Sequence, residues 1–306
     1  MDQSNHYLLT GASGFLGRII NDQLVARGCK VTGLDLFGQS LNVDITRPFI
    51  LDKELNPDIV VHAAGKAHSV PGSPEEEKVF FDVNFEGTKN LCIALEKLTL
   101  RPMSFIFIST VAVYGLDSGK MISENHPLNG ETPYAKSKIF AENWLRDWAG
   151  KNSIKLGIIR LPLVAGPNPP GNLGAMINGI RSGHYLSIGK ADAQKSIVWQ
   201  EDIANVIPVL SEKGGTYNLT DGRHPSFKQL EIVISRNLRK RVPVTIPIYV
   251  AKILAYAGNL MGRSFPINSD KLKKITSTLT FDDSKAINIL DWKPSSVIEK
   301  LSEALY

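Results

Sequence analysis

Short runs of apolar residues recur along the first half of the chain. Between them lie stretches in which apolar positions return every three or four residues. Residues 6–10 (HYLLT) form the first run. Ile19, Ile20, Leu24 and Val25 follow with helical spacing, Gly28 closes that helix, and residues 30–36 form a second run. A short strand is expected over 41–43, and further runs cover 58–61, 104–109 and 154–160. A long helix is expected over 74–98, and another begins at Pro133. Strands apolar on both faces, alternating with helices, predict an α/β, doubly wound parallel sheet. From about Pro162 the texture changes. Pro167, Pro169, Pro170 and Gly171 make a turn-rich loop. Helices are expected over 173–182, 202–210, 226–237, 248–262, 283–290 and 297–304, with short strands at 197–199 and 217–219. The expected organisation is a sheet domain over 1–165, which a strand near 216–220 rejoins. A smaller, mostly helical lobe covers 166–306.

Composition narrows the class. At 43% hydrophobic and 21% charged, the 306 residues fit an ordinary globular protein with one sizeable core. The longest apolar stretch, 246–261, is interrupted by Lys252 and Asn259. It is shorter than the roughly 20 residues a membrane span takes, so it reads as a buried or partly buried helix. The net charge is +5, and part of the excess lies between Arg236 and Lys274. Such a bias suits an anionic ligand or a membrane surface, and a solvated basic face is the plainer account. No nucleic-acid module is visible. Cys29 and Cys92 lack CxxC spacing, and the N-terminus lacks a signal-peptide layout, so a reducing cytoplasm is expected. His62, His68, His126, His184 and His224 are scattered without ligand spacing, and no metal is expected.

Candidate chemistry begins between the first two strands. Gly11, Gly14 and Gly17 are spaced GxxGxxG within TGASGFLG, and Asp35 ends the second strand. Glycines allow a tight turn and close approach of the backbone to a pyrophosphate. The helix start at Ser13, Phe15 and Leu16 offers free N–H groups and a positive dipole end. A carboxylate at Asp35 accepts ribose hydroxyls and repels a 2′-phosphate, so the pattern points to a Rossmann domain binding NAD. Asp44 and Ile45 stand where an adenine contact is expected. Ala63, Ala64 and Gly65 end the 58–61 strand with side chains small enough to let a cofactor lie close. Asn84, inside the long helix, reads either as a tolerated exposed amide or as a contact to helix backbone or cofactor water. Tyr134 and Lys138 share a helix face at four-residue spacing. That pair fits a solvated face, or a phenol whose pKa a nearby ammonium lowers so that it moves protons.

Together these motifs resemble the extended short-chain dehydrogenase/reductase family, in particular its NAD-dependent nucleotide-sugar epimerase/dehydratase branch. The resemblance runs over nearly the whole chain. It is carried by TGASGFLG with Asp35, His62-Ala63-Ala64-Gly65, VNFEGT (83–88), STVAVYG (109–115) and Tyr134 to Lys138. It continues through Arg160-Leu161-Pro162, Gln200-Glu201-Asp202-Ile203-Ala204 and YNLTDG (217–222). The resemblance implies that Tyr134 transfers the proton and that Lys138 holds the nicotinamide ribose and depresses the tyrosine pKa. It implies that Thr110 hydrogen-bonds the reacting sugar oxygen. Dehydratases of this branch carry an Asp-Glu pair directly after that threonine. Val111 and Ala112 stand there instead, which disfavours elimination. The implied substrate is a UDP-sugar, with Asn172, Leu173, Lys195 and Arg263 on the nucleotide side. The leading expectation is an NAD-dependent 4-epimerase working through a 4-keto sugar. The alternative is an NAD(P)H-dependent 4-keto reductase of a UDP-linked deoxy-amino-sugar. A non-catalytic cofactor-sensing protein is the expectation from another class, and such proteins typically lose the Tyr/Lys pair. The resemblance further implies a homodimer through helices within 80–98 and 134–151.

Overall fold

A computed structural model describes residues 5–67, 69–261 and 268–304. The chain opens with β1 (His6–Thr10), α1 (Phe15–Ala26), β2 (Lys30–Asp35), β3 (Leu41–Asn42) and β4 (Ile59–His62). A long helix follows as α2 (Pro74–Phe81), a π-helical turn (Asp82–Glu86) and α3 (Gly87–Leu95). Next come β5 (Ser104–Thr110), a 3-10 turn (Val111–Tyr114), β6 (Gly119–Ile122), α4 (Pro133–Asn152) and β7 (Lys155–Leu161). The second half contains β8 (Leu163–Ala165), α5 (Gly171–Ser182), β9 (Ser187–Ile188), β10 (Ile197–Trp199), α6 (Gln200–Lys213) and β11 (Gly215–Asn218). It ends with α7 (Phe227–Asn237), β12 (Thr245–Ile246), α8 (Ile248–Met261), α9 (Ser269–Thr276), β13 (Leu279–Phe281), α10 (Ser284–Leu290) and α11 (Val297–Glu303).

Seven strands form one sheet in the order β11-β7-β5-β4-β1-β2-β3, every pair parallel. Strand alternation explains why such runs are apolar throughout. Leu9, Val61 and Ile106 face a core shared with α1 and α6, which includes Ile20, Leu24 and Ile207. Leu8, Val60, Phe105 and Phe107 face a second core with α3 and α4, which includes Leu91, Leu95 and Leu145. The strand order reverses between β1 and β4, and in such sheets ligands bind beyond the carboxyl ends at that point. Thr10, Asp35, His62 and Thr110 are the last residues of β1, β2, β4 and β5. β11 pairs with β7 at the edge of the sheet.

A third core, with Leu173, Ile177, Trp199, Leu230, Ile234 and Leu301, joins α5, α7 and α11. Two departures from the sequence pattern are informative. The expected 74–98 helix stops at Leu95 and contains the π-helical turn, which starts one residue before VNFEGT. Helix α9 lacks a readable apolar stripe, since Leu272 is its one buried residue. Its start is set instead by Asn268, whose side chain accepts from the Lys271 N–H.

Candidate active site

The glycine turn is held by backbone contact. Gly11 has φ +69°, and a Cβ there would come within 2.6 Å of the Ala64 nitrogen, so only glycine lets β1 and β4 close at this point. Gly14 is the N-cap of α1 and supplies no side-chain cap, leaving the first-turn N–H groups of Phe15, Leu16 and Gly17 to a ligand. Asp35 accepts the Ser13 N–H on Oδ2 (2.9 Å) and the Leu36 N–H on Oδ1 (2.8 Å). Two bonds fix the carboxylate and leave it further lone pairs for ribose hydroxyls. Asp44 is exposed, and its carboxylate accepts from the Thr46 N–H (3.0 Å) and hydroxyl (2.7 Å), which hold its pKa below the usual range. Ile45 is buried, and its carbonyl accepts from Asn90 (2.9 Å).

A one-directional chain of hydrogen bonds runs behind this turn. The Ala64 N–H donates to Thr10 Oγ1 (3.2 Å), which is 2.6 Å from His62 Nδ1. His62 Nε2 is 2.9 Å from Thr88 Oγ1, which itself donates to the Asn84 carbonyl (2.7 Å). Thr88 can therefore only accept from Nε2–H, and the Thr10 hydroxyl donates to Nδ1, which sets the tautomer of a neutral imidazole. Burial drives the His62 pKa down to about 3, and the Lys138 charge adds to it. The Asn84 side chain has its own partners. Its Nδ2 donates to Ser137 Oγ (2.9 Å) and to the Lys66 carbonyl (3.0 Å), while Oδ1 accepts the Lys66 N–H (2.8 Å). Asn84 is thus not the exposed amide the sequence allowed: it is buried, and it anchors the loop backbone at Lys66 in place of helix backbone. A π-helical turn presents it, a feature frequent at functional sites.

Helix α4 carries the proton chemistry. Thr132 caps it, accepting the Ala135 N–H (3.2 Å), and Pro133 occupies its first turn. Tyr134, Lys138 and Glu142 follow at four-residue spacing on one face. Lys138, 5% exposed, donates to the Ile108 carbonyl (2.9 Å) and lies 4.5 Å from the centre of the Phe107 ring. Burial pulls its pKa down to about 8, and Glu142 works against that fall. Thr110, at the end of β5, stands beside the Tyr134 phenol, and its hydroxyl oxygen accepts the Ala112 N–H (3.2 Å). Burial raises the phenol pKa and the Thr110 side chain offsets part of the rise. The expected lowering by Lys138 does not operate in the protein alone, because the ammonium is turned to Ile108 and Phe107. Val111 and Ala112, in the 3-10 turn beside Thr110, bring no acid or base. A Cβ on Gly65 would lie 3.0 Å from Asn84 Oδ1 and 3.2 Å from Lys138 Nζ. Gly65 thus lets the chain after β4 pass close to Asn84 and Lys138.

In the second lobe Leu173 is packed into the third core, while Asn172 is exposed in the first turn of α5. Burial pulls the Lys195 pKa down to about 8. Asp117 opposes that and Lys274 reinforces it. Asp117 in turn pairs with Lys273 at 3.3 Å and Lys274 at 3.9 Å. Arg263 and His68 lie outside the described residues. Among the described residues no cluster of side chains could hold a metal ion.

Sequence reasoning missed the Glu142 network. Glu142 is fully buried and takes Ser109 Oγ (2.6 Å), Arg160 Nε (3.1 Å) and Arg160 Nη2 (2.7 Å), with Arg146 at 3.1 Å. Arg160 also donates to the Tyr114 hydroxyl (3.0 Å), which donates to Asn218 (2.7 Å). The signal was present: the four-residue period of Tyr134 and Lys138 continues to Glu142.

Against known proteins, the model of the NAD dependent epimerase/dehydratase family matches residues 7–220. The N-acetyl-alpha-D-glucosaminyl-diphospho-ditrans,octacis-undecaprenol 4-epimerase of Escherichia coli O157:H7 is 28% identical, over 92% of this chain and 88% of that protein. The UDP-glucose 4-epimerase of Vibrio cholerae is 27% identical, over 96% of this chain and 92% of its own. The crystal structure of UDP-glucose 4-epimerase from Thermotoga maritima with UDP-glucose superposes with a TM-score of 0.75 at 22% identity. The superposition covers 97% of this chain and 96% of that one, a likeness of fold.

Proposed function

The chain belongs to the NAD dependent epimerase/dehydratase family, and we propose that it is a 4-epimerase of a sugar carried on a diphosphate, in the first place a UDP-sugar. Family membership makes it an enzyme with NAD as its cofactor. Gly11, Ser13, Gly14, Phe15, Leu16 and Gly17 would hold the pyrophosphate, with Asp35 on the adenosine ribose. Asp44 and Ile45 would stand on the adenine side, and Ala63, Ala64 and Gly65 would floor the cofactor cleft. Asn84 anchors its wall, and Lys138 would hold the nicotinamide ribose. The capless start of α1 and the glycine turn that brings β1 against Ala64 fit that group. NAD held there would supply the hydride acceptor, and afterwards the hydride donor, for the sugar carbon.

The protein's own residues handle the proton. Tyr134 accepts the C4 hydroxyl proton as the sugar is oxidised to the 4-keto state and gives it back when the sugar has turned. Thr110 donates a hydrogen bond that steadies the oxygen and the phenolate. The Lys138 ammonium adds positive charge to the cleft. Asn172, Leu173 and Lys195, with Arg263, are proposed for the nucleotide side. Leu173 can serve there only through its backbone, since its side chain is packed in the core.

The observation that carries the reading is the buried Tyr134 phenol beside Thr110 and inert Val111 and Ala112: groups for proton transfer at one oxygen are present, and an acid–base pair for elimination is not. Purified protein given UDP-glucose or UDP-N-acetylglucosamine, with no added reduced nucleotide, should form the C4 epimer by NMR. Turnover that instead consumes NADH or NADPH stoichiometrically would make it the 4-keto reductase. We also propose a homodimer through α2, α3 and α4. There Phe140 is half exposed, 5.9 and 5.6 Å from the Phe81 and Phe85 rings. A monomer in sedimentation velocity would refute the dimer.

A further inference from the structure

Helix α8 is turned opposite to an ordinary surface helix. Its buried side is the small one: Ala251 and Ala255 pack with Leu272, Ile188 and Ile246. Its large residues face out. Tyr249, Ile253 and Tyr256, at positions i, i+4 and i+7, are 65%, 68% and 68% exposed, with Ile248 and Leu254 partly exposed between them. The expectation of a buried or partly buried helix over 246–261 holds only for its alanine side. The apolar surface continues into the preceding segment, where Val242 and Val244 are exposed. The Val244 carbonyl accepts the Ser187 N–H (3.0 Å), which puts exposed Leu186 at the same end of the small β9–β12 pair.

The charge of this region is as one-sided as its exposure. Residues 232–269 contain Arg236, Arg239, Lys240, Arg241, Lys252 and Arg263 and no acidic residue. Removing those six leaves 29 cations against 30 acids in the rest of the chain, so this stretch accounts for the whole positive excess. Among the described residues, Arg236, Arg239, Lys240, Arg241 and Lys252 form no ion pair.

We propose that α8 and the basic segment leading into it dock on an anionic lipid bilayer, α8 lying in the plane of the headgroups. Aliphatic side chains flanked by tyrosines suit the boundary between headgroup and acyl chain, and the cations suit the phosphates. Two other occupants fit less well. A second copy would set Arg236, Arg239, Lys240, Arg241 and Lys252 against their own like, a repulsion that an anionic surface avoids. A nucleic acid would answer the cations and leave Val244, Ile253 and Leu254 without an apolar partner. Spanning is excluded, since among the described residues no helix is long and apolar enough to cross a membrane. The inference is independent of the sugar and of its carrier.

Flotation of the full chain with vesicles tests it. Binding to phosphatidylglycerol-rich vesicles should exceed binding to pure phosphatidylcholine by about tenfold or more and should weaken with salt. Two variants should each lose about tenfold while keeping the circular dichroism spectrum and bound NAD. One combines Tyr249→Ser, Ile253→Ser and Tyr256→Ser, and the other combines Lys240→Glu and Arg241→Glu. No binding to either vesicle, equal binding to both, or unchanged binding by both variants would overturn the proposal. So would a variant that turns a dimer into a monomer, because a second copy would then be what covers the face.

Discussion

Helices α4 and α8 invert each other. On α4 the face bearing Tyr134, Lys138 and Glu142 is turned inward, where Lys138 is buried against the Ile108 carbonyl and Glu142 against Arg160. On α8 the face bearing Tyr249, Ile253 and Tyr256 is turned outward, where large apolar groups meet water. Spacing says which residues share a helix face, and the surroundings decide which way that face points. A buried ion pair carries a desolvation cost, and an exposed apolar face forgoes a hydrophobic gain. Each departure therefore marks a task beyond folding: chemistry on α4 and docking on α8.

Five substitutions would break or sharpen that contrast. Tyr134→Phe should lower turnover by about a thousandfold through loss of the acid–base group, with NAD still bound by fluorescence. Glu142→Gln should cost on the order of 3 kcal/mol in denaturant unfolding, because Arg160 keeps a buried charge with a neutral partner. The same variant should move the alkaline limb of the pH–rate profile. Lys138 loses its proton through about pH 8, and without Glu142 to raise its pKa the loss comes at lower pH. His62 comes next. It is neutral in the fold with a pKa of about 3 and protonates near 6.5 when unfolded, so stability is full above 6.5 and falls as pH drops toward 3. Wild-type protein should lose about 2 kcal/mol between pH 7 and pH 5 by this route, and His62→Gln should flatten that slope. The smallest effect belongs to α8. Ile253→Ser should shift stability by less than about 0.5 kcal/mol, whereas Ala255→Leu on its buried side should cost about 1–3 kcal/mol by overpacking.

Much of the sheet was legible because parallel strands buried on both faces read as unbroken apolar runs, as in β1 and β5. The glycine turn with Asp35 was legible for a similar reason: its chemistry is local in sequence. The Glu142–Arg160–Tyr114–Asn218 network was not, because its members lie up to 104 residues apart and meet only when β5, β7 and β11 align. The direction of the Lys138 head was hidden too. It depends on the Ile108 carbonyl and the Phe107 ring of a neighbouring strand. The short β9–β12 and β6–β13 pairs and α9 carry too few apolar positions to announce themselves.

The proposed reaction confines hydride chemistry to one carbon, with Tyr134 moving only the hydroxyl proton. Its most direct test is turnover in D2O with a UDP-hexose and no added nicotinamide. The product should be the C4 epimer with no carbon-bound deuterium. Deuterium at C3 or C5 would contradict it, because a carbon-bound proton would then have been removed by a base that the Thr110–Ala112 turn does not supply.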